Sequence, residues 1–305
     1  MIPTLFSVSY AGLWGQARLD LPSFFKKASE LGYRAVEVMG KRPHLSVLDA
    51  TPEYLAKLRA AADEAGVEIA TIAGYTDFTA GKTASEVPFV EMQIAYVTAL
   101  ARAAKTLGAK LVRVFTGYTT DAESCQGDWE KCVTAIRACA GSAQEQDVML
   151  GVQNHHDVGV GFDAYREFLR DVDHPNCRAM FDPWSVALHG EDLYRCAREM
   201  APMMVQTTLA DYVKLKRFAY MPGLINYRAL PEMVRAVPLG EGFIDLPAFF
   251  RGLKDGGFKG NVAYEMCSPL RGGGSMENLD ATARKSLSYL LELTDKPPAG
   301  PSNPK

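Results

Sequence analysis

The chain has 305 residues, 48% of them hydrophobic and 23% charged, with 26 Gly and 17 Pro. These proportions exclude a fibrous or low-complexity protein and allow either two average domains or one large α/β barrel. Lys and Arg number 33 against 36 Asp and Glu, a net charge of −3, so no excess positive field exists to gather phosphate backbones and nucleic acid is not an expected partner.

Short β-branched or apolar runs alternate with longer helical segments. Residues 4–9 read as a first strand, and Asp20 caps a helix that closes at Gly32. Residues 34–39 read as the second strand, followed by a helix that opens with Thr51, Pro52 and Glu53 and ends at Gly66. Strand three is 67–73, a long helix 87–107 ends at Gly108, and strand four is 110–115. The pattern repeats with helix 129–145, strand five at 148–153, helix 162–172, strand six at 177–181 and helix 191–200. Strand seven is 203–209, its helix 246–253, strand eight 261–265, and the last helix 279–293.

Eight βα units in a row predict a closed parallel (β/α)8 TIM barrel, one domain over 1–295. An open doubly wound sheet usually has fewer strands and a G-x-G-x-x-G turn after the first. The turn from Tyr10 to Gly15 has no such pattern. The Pro-rich tail 296–305 is expected to be disordered. The connection 211–245 is too long for a compact barrel, and it holds Lys214, Lys216, Arg217, Tyr220, Asn226, Tyr227 and Arg228. It is read as a lid or substrate loop, or as an arm between copies.

The first residues carry no basic region followed by an apolar one, so no signal peptide is expected. No apolar stretch approaches the ~18 residues needed to cross a bilayer, which points to a cytoplasmic chain with no membrane contact. Six cysteines with no CxxC pair read as reduced thiols, and Cys125, Cys132 and Cys139, on one helical face, as small buried residues.

Barrel active sites sit at the C-terminal ends of the strands. There the chain places Glu37, Arg113, Thr116, Gln153, Asn154, His155, His156, Asp157, Asp182, Gln206, Thr208, Asp211 and Glu265. Asp182 and Glu265 follow apolar runs directly, so each needs a partner: a metal, a substrate group, or an ion pair such as Arg113 would provide. Beyond strand eight, Arg271 and the glycines at 272–274 suit either an anion or sugar hydroxyl, or a tight loop with Arg271 paired to an acid. Trp14, Tyr118, Trp184 and Tyr212 lie near strand ends and fit either an apolar wall against a sugar face or the core.

The strand order resembles the xylose isomerase-like barrel superfamily. So do Gln153-Asn154-His155, Phe181-Asp182, the stretch 237–246 and the stretch 257–265. More narrowly, they resemble the sugar phosphate isomerase/epimerase group that includes D-tagatose 3-epimerase, over residues 4–293. The resemblance implies a small-molecule carbohydrate substrate, a homodimer or tetramer, and one divalent cation, manganese or magnesium, held by Glu, Asp, His and Glu on strands five to eight. Carried onto this chain, the ligand set becomes Gln153, Asp182 and Glu265, with Thr208 and Ser185 where the family has histidines. Gln153 can ligate through its carbonyl oxygen but cannot act as a base, so the site is a weak one for a hard cation.

Glu265 is then the expected proton-transfer group, working with His155, while His156 either faces the substrate or bonds a neighbouring loop. Glu37, Arg113, His156, Trp184, Thr208, Lys214, Arg217 and Arg271 are the expected substrate contacts. The leading expectation is a sugar, keto-sugar or cyclitol isomerase or epimerase acting by enolisation. The alternatives are a lyase on a related polyol and a sugar-binding homologue that has lost catalysis.

Overall fold

Asp20 and Thr51 act as the helix caps that the sequence predicts. The Asp20 carboxylate accepts from the Ser23 N–H at 2.9 Å and the Thr51 hydroxyl from the Tyr54 N–H at 3.2 Å. The structure is a computed structural model and describes residues 1–82, 84, 86–119 and 125–295; the tail 296–305 lies outside them. In chain order the first half runs β1 (Ile2–Phe6), α1 (Leu21–Leu31), β2 (Ala35–Met39), α2 (Pro52–Ala65), β3 (Glu68–Ala73), α3 (Phe89–Leu107), β4 (Leu111–Val114) and α4 (Cys125–Gln144). It continues with β5 (Met149–Gln153), α5 (Phe162–Val172), β6 (Cys177–Met180), α6 (Pro183–Leu188), α7 (Leu193–Met200) and β7 (Gln206–Leu209). The remainder is β8 (Asp211–Met221), β9 (Asn226–Val237), α8 (Leu246–Asp255), β10 (Asn261–Tyr264) and α9 (Met276–Asp295).

Eight parallel strands form one sheet in the order β6-β5-β4-β3-β2-β1-β10-β7. The two ends meet where the Val205 N–H donates to the Ala179 carbonyl at 3.0 Å, closing the barrel as predicted. The strands are too apolar to stand in water, and the helices cover their outer faces: Phe24, Phe25, Leu58, Leu100, Ile136, Phe168, Phe249 and Leu290 pack into one continuous core. Cys132 and Cys139 lie in that core, but Cys125, at the start of α4, is exposed. No helix among the described residues is long and apolar enough to cross a membrane.

Two elements depart from expectation. The connection 211–245 is not an irregular loop, because β8 and β9 pair as an antiparallel hairpin from Asp211↔Val237 to Met221↔Asn226. The alternation of Val213 and Leu215 with Lys214 and Lys216, together with the Pro222-Gly223 turn, is a strand signal. The charged residues and Pro231 obscure it. The second departure is α6, whose first turn is capped by Asp182.

Candidate active site

A cavity of about 520 Å³ opens at the C-terminal ends of the strands. Its rim takes Trp14 from the loop after β1, Lys41 from beyond β2, Tyr75 from beyond β3, Trp184 from α6, and Tyr212 and Val234 from the base of the hairpin. Arg113, Gln153, His155, His156 and Glu265 line it as well, so six of the expected site residues, Trp184 included, converge on one space.

Arg113 is buried on β4 and can only donate. One N–H of its guanidinium reaches Gln153 Oε1 at 2.9 Å and another the Gly74 carbonyl at 3.1 Å. Its carbon lies 4.0 Å from the Phe115 ring centroid and 4.8 Å from that of Tyr75. The other end of the Gln153 amide donates from Nε2 to Asp182 Oδ2 at 2.9 Å. Asp182 Oδ1 accepts from the Trp184 N–H at 2.6 Å, which is the cap of α6. The Arg113 contact fixes the amide orientation, since a guanidinium offers no acceptor and only the amide oxygen can face it.

Below the cavity, Thr71 donates to Gln206 Oε1 at 2.6 Å, and Gln206 Nε2 donates to Glu37 Oε2 at 2.6 Å. Burial raises the Glu37 carboxyl to about 7, against the pull of Arg113 and the Gln206 bond. Burial likewise lifts Asp182 to about 7, with Glu265 repelling it further. Glu265 is also pushed up to about 7 by burial, with Arg113 drawing it down and Glu37 pushing it up. Burial followed by Arg113 lowers the Lys41 amine, whose Nζ lies 3.9 Å from the Tyr75 ring centroid.

His155 and His156 are neutral imidazoles at neutral pH. Burial, the facing His156 and Arg113 push His155 down to about 3, and His156 falls to about 4, mainly through burial. The His156 backbone N–H donates to His155 Nδ1 at 2.8 Å, so neutral His155 carries its proton on Nε2. His156 adopts φ of 66°, beyond the end of β5, which turns its ring back into the cavity and against Tyr118.

These shifts set a pH dependence of stability. The three raised carboxyls hold protons that the unfolded chain has already released, so the folded state gains stability as pH falls through about 7. His44, pushed down to about 4 chiefly by burial, acts in the opposite sense together with His155 and His156, because unfolded imidazoles take up protons that the folded ones refuse. The melting temperature is therefore expected to rise between about pH 8 and about pH 6.5 and to level off below. Calorimetry across that range checks it; a steady fall on acidification from pH 8 contradicts the raised carboxyls.

Several expected contacts lie elsewhere. Thr208 is buried in the barrel with its hydroxyl unpartnered, off the cavity wall. Glu37 is also walled off, committed to Gln206. Asp182 misses the main cavity and lines a side recess with Asn154, His155, His156 and Ser185. Lys214 lies over the Phe243 ring at 4.2 Å, Arg217 is exposed on the hairpin, and Arg271 is exposed on its loop, all three away from the cavity.

The glycines after Arg271 serve close packing. A Cβ on Gly274 would meet the Gly15 carbonyl at 2.1 Å, and Ala17 N–H donates to the Gly274 carbonyl at 2.6 Å. Sequence reasoning missed Lys41, Tyr75, Phe115 and Cys267. All four lie at or just beyond a strand end, which is the one signal that marks them.

The implied divalent cation finds no matching donor set. Gln153 Oε1 faces a guanidinium, and both Asp182 oxygens are hydrogen-bonded within the protein. Among the described residues no group of three or more His, Cys, Asp or Glu is placed to hold a metal ion.

Residues 25–293 match the family model of the xylose isomerase-like TIM barrel. No curated protein matches the chain in sequence. Among solved structures, a D-psicose 3-epimerase with D-tagatose from Clostridium cellulolyticum H10 is similar at 17% identity with a TM-score of 0.73, over 97% of this chain and 100% of that one. The probable 3-DHS dehydratase AsbF of petrobactin synthesis from Bacillus anthracis is similar at 17% identity and a TM-score of 0.71, over 95% and 98%. The IOLI protein with a binding zinc atom is similar at 16% identity and a TM-score of 0.70, over 96% and 98%. At these identities the likeness concerns the fold.

Proposed function

The chain belongs to the xylose isomerase-like TIM barrel family, and from that membership we propose that it is an enzyme moving a proton on a polyhydroxylated carbonyl compound, a keto-sugar or cyclitol, as an isomerase or epimerase. The observation that carries this reading is the Glu265 carboxyl. It lines the cavity and titrates near 7, so it can take a carbon-bound proton and give one back at neutral pH. His155, presenting an Nε2–H, is the expected partner on the substrate's other side, and Arg113 supplies a fixed positive charge. Trp14, Tyr75, Phe115 and Trp184 offer apolar faces for a sugar ring. Manganese or magnesium has no step in this scheme, because Gln153 Oε1 faces the Arg113 guanidinium and both Asp182 oxygens are engaged with the Gln153 amide and the cap of α6.

The same aromatic lining favours a second reading, a dehydratase. There Glu265 removes the proton and returns it to the departing hydroxyl, which leaves as water, the His155 Nε2–H hydrogen-bonds the substrate, and flat walls accommodate a planar conjugated product. The reading of a homodimer or tetramer finds support in the hairpin, where Leu224 and Ile225 are 72% and 83% exposed beside Phe218, Tyr220 and Tyr227.

Incubation with a panel of ketoses, keto-inositols and cyclic hydroxy-ketones in D2O separates the outcomes. Deuterium uptake beside the carbonyl with a rearranged product, read by NMR, is expected for the isomerase. An ultraviolet-absorbing product assigns the dehydratase, and saturable binding without exchange across the panel replaces both with a binding protein.

A further inference from the structure

We infer that the Arg113 guanidinium is the resident cation of this site, occupying the oxygen that a divalent metal would need and serving as the electrophile in its stead. Gln153 is the pivot. Its only acceptor atom is turned to Arg113 and its donor to Asp182, so a metal at that oxygen would sit beside a buried guanidinium that carries the same sign of charge. Asp182 is spent on the Gln153 amide and on the cap of α6, while Glu265 bonds the Cys267 thiol.

Arg113 is also built to stay. Its fork is held by Gly74 and Gln153, and its plane is flanked by Phe115, Tyr75 and Phe6 at 4.0, 4.8 and 5.5 Å. It is 2% exposed, and its Nε–H is buried without a partner. A guanidinium has five N–H groups. Further donor capacity therefore remains on a permanent cation that lines the cavity.

What that capacity suits is an oxygen that becomes negative during reaction. The following step rests on the proton-transfer reading. The Glu265 carboxylate takes the proton from the carbon beside the substrate carbonyl, the C–H pair forms the new C=C bond, and the carbonyl π pair moves onto oxygen. That oxyanion accepts an N–H from Arg113. Return of the proton from the Glu265 carboxylic acid, or from a second group on the other face, restores the carbonyl.

The test uses the full-length protein purified without chelator, with elemental analysis and calorimetric titration of manganese(II). The native chain is expected to carry far less than one equivalent of any divalent metal and to show no saturable uptake. The double variant R113M/Q153E, which frees a carboxylate and removes the guanidinium, is expected to gain a manganese site. Arg113→Lys keeps the charge but not the fork, and is expected to lower turnover about 10²-fold without acquiring metal.

A near-stoichiometric metal on the native chain, lost in Glu265→Gln, overturns the inference, and so does an Arg113→Lys variant with native turnover. Native protein that is free of metal but inactive on the whole panel removes the proton-transfer reading alone and leaves Arg113 as the cation of a binding site. The native measurement decides the metal question even where an Arg113 variant fails to fold.

Discussion

Glu265→Gln is expected to lower turnover by about 10³-fold while leaving the fold and substrate affinity close to native. The amide keeps the volume of the carboxyl and remains uncharged, as the native group is for part of the time near neutrality. It loses the ability to receive a carbon-bound proton. Because the native carboxyl titrates near 7 through burial, with Arg113 opposing, kcat/KM of the native enzyme should climb as pH rises through about 7, where the base form appears. That limb should be absent from whatever activity the variant retains. Steady-state kinetics of both proteins across pH checks the claim. Turnover within tenfold of native, with the limb intact, would move the base to another residue.

Asp211→Ala is expected to destabilise the fold by about 3 kcal/mol or more, a drop of roughly 6–9 °C in Tm. The Asp211 carboxylate is buried and accepts four backbone N–H groups: Tyr212 at 2.9 Å, Gly240 at 3.0 Å, Gly242 at 2.9 Å and Ile244 at 3.3 Å. It ties the base of the β8–β9 hairpin to the turn that leads into α8. Truncation leaves those donors without an acceptor in an enclosed space, and each orphaned donor costs about 1–3 kcal/mol. Gly242 approaches the carboxylate so closely that a Cβ there would lie 1.9 Å from Oδ1, so no side chain at that position can substitute for the acceptor. Asp211→Asn, which keeps one acceptor oxygen, should fall between the two. Chemical denaturation of the three proteins measures the effect, and an Asp211→Ala chain as stable as native would show the nest to be dispensable. Tyr212 and Val234 carry the damage to the cavity wall, so KM is expected to rise alongside.

Much of the architecture was legible because its signals are local. Caps at Asp20 and Thr51, closing glycines at 32, 66 and 108, and apolar runs between them act over a few residues, and each specified its element before any long-range contact formed. The polar residues at the strand ends were legible too, since a barrel places them at one face whatever the chemistry. The hairpin was harder. Its alternation is interrupted by Pro231 and by an irregular register near Leu215 and Arg217, and most of it faces water, so the apolar period that marks a half-buried strand is weak.

The sequence by itself determined the closed eight-stranded barrel, the order of its strands, and the presence of Arg113, Gln153, His155, Asp182 and Glu265 at or just beyond the C-terminal ends of the strands. Only the tertiary structure decided what each does. It brought Trp14, Lys41 and Cys267 to the same cavity from distant parts of the chain, sent Thr208 and Glu37 below it, and gave Asp182 to a helix cap. It also set the Gln153 amide between a guanidinium and a carboxylate. The reason is physical: backbone propensity depends on neighbours in sequence, whereas the role of a buried polar group depends on the partner that meets it across the barrel, and that partner is fixed only when the sheet has closed.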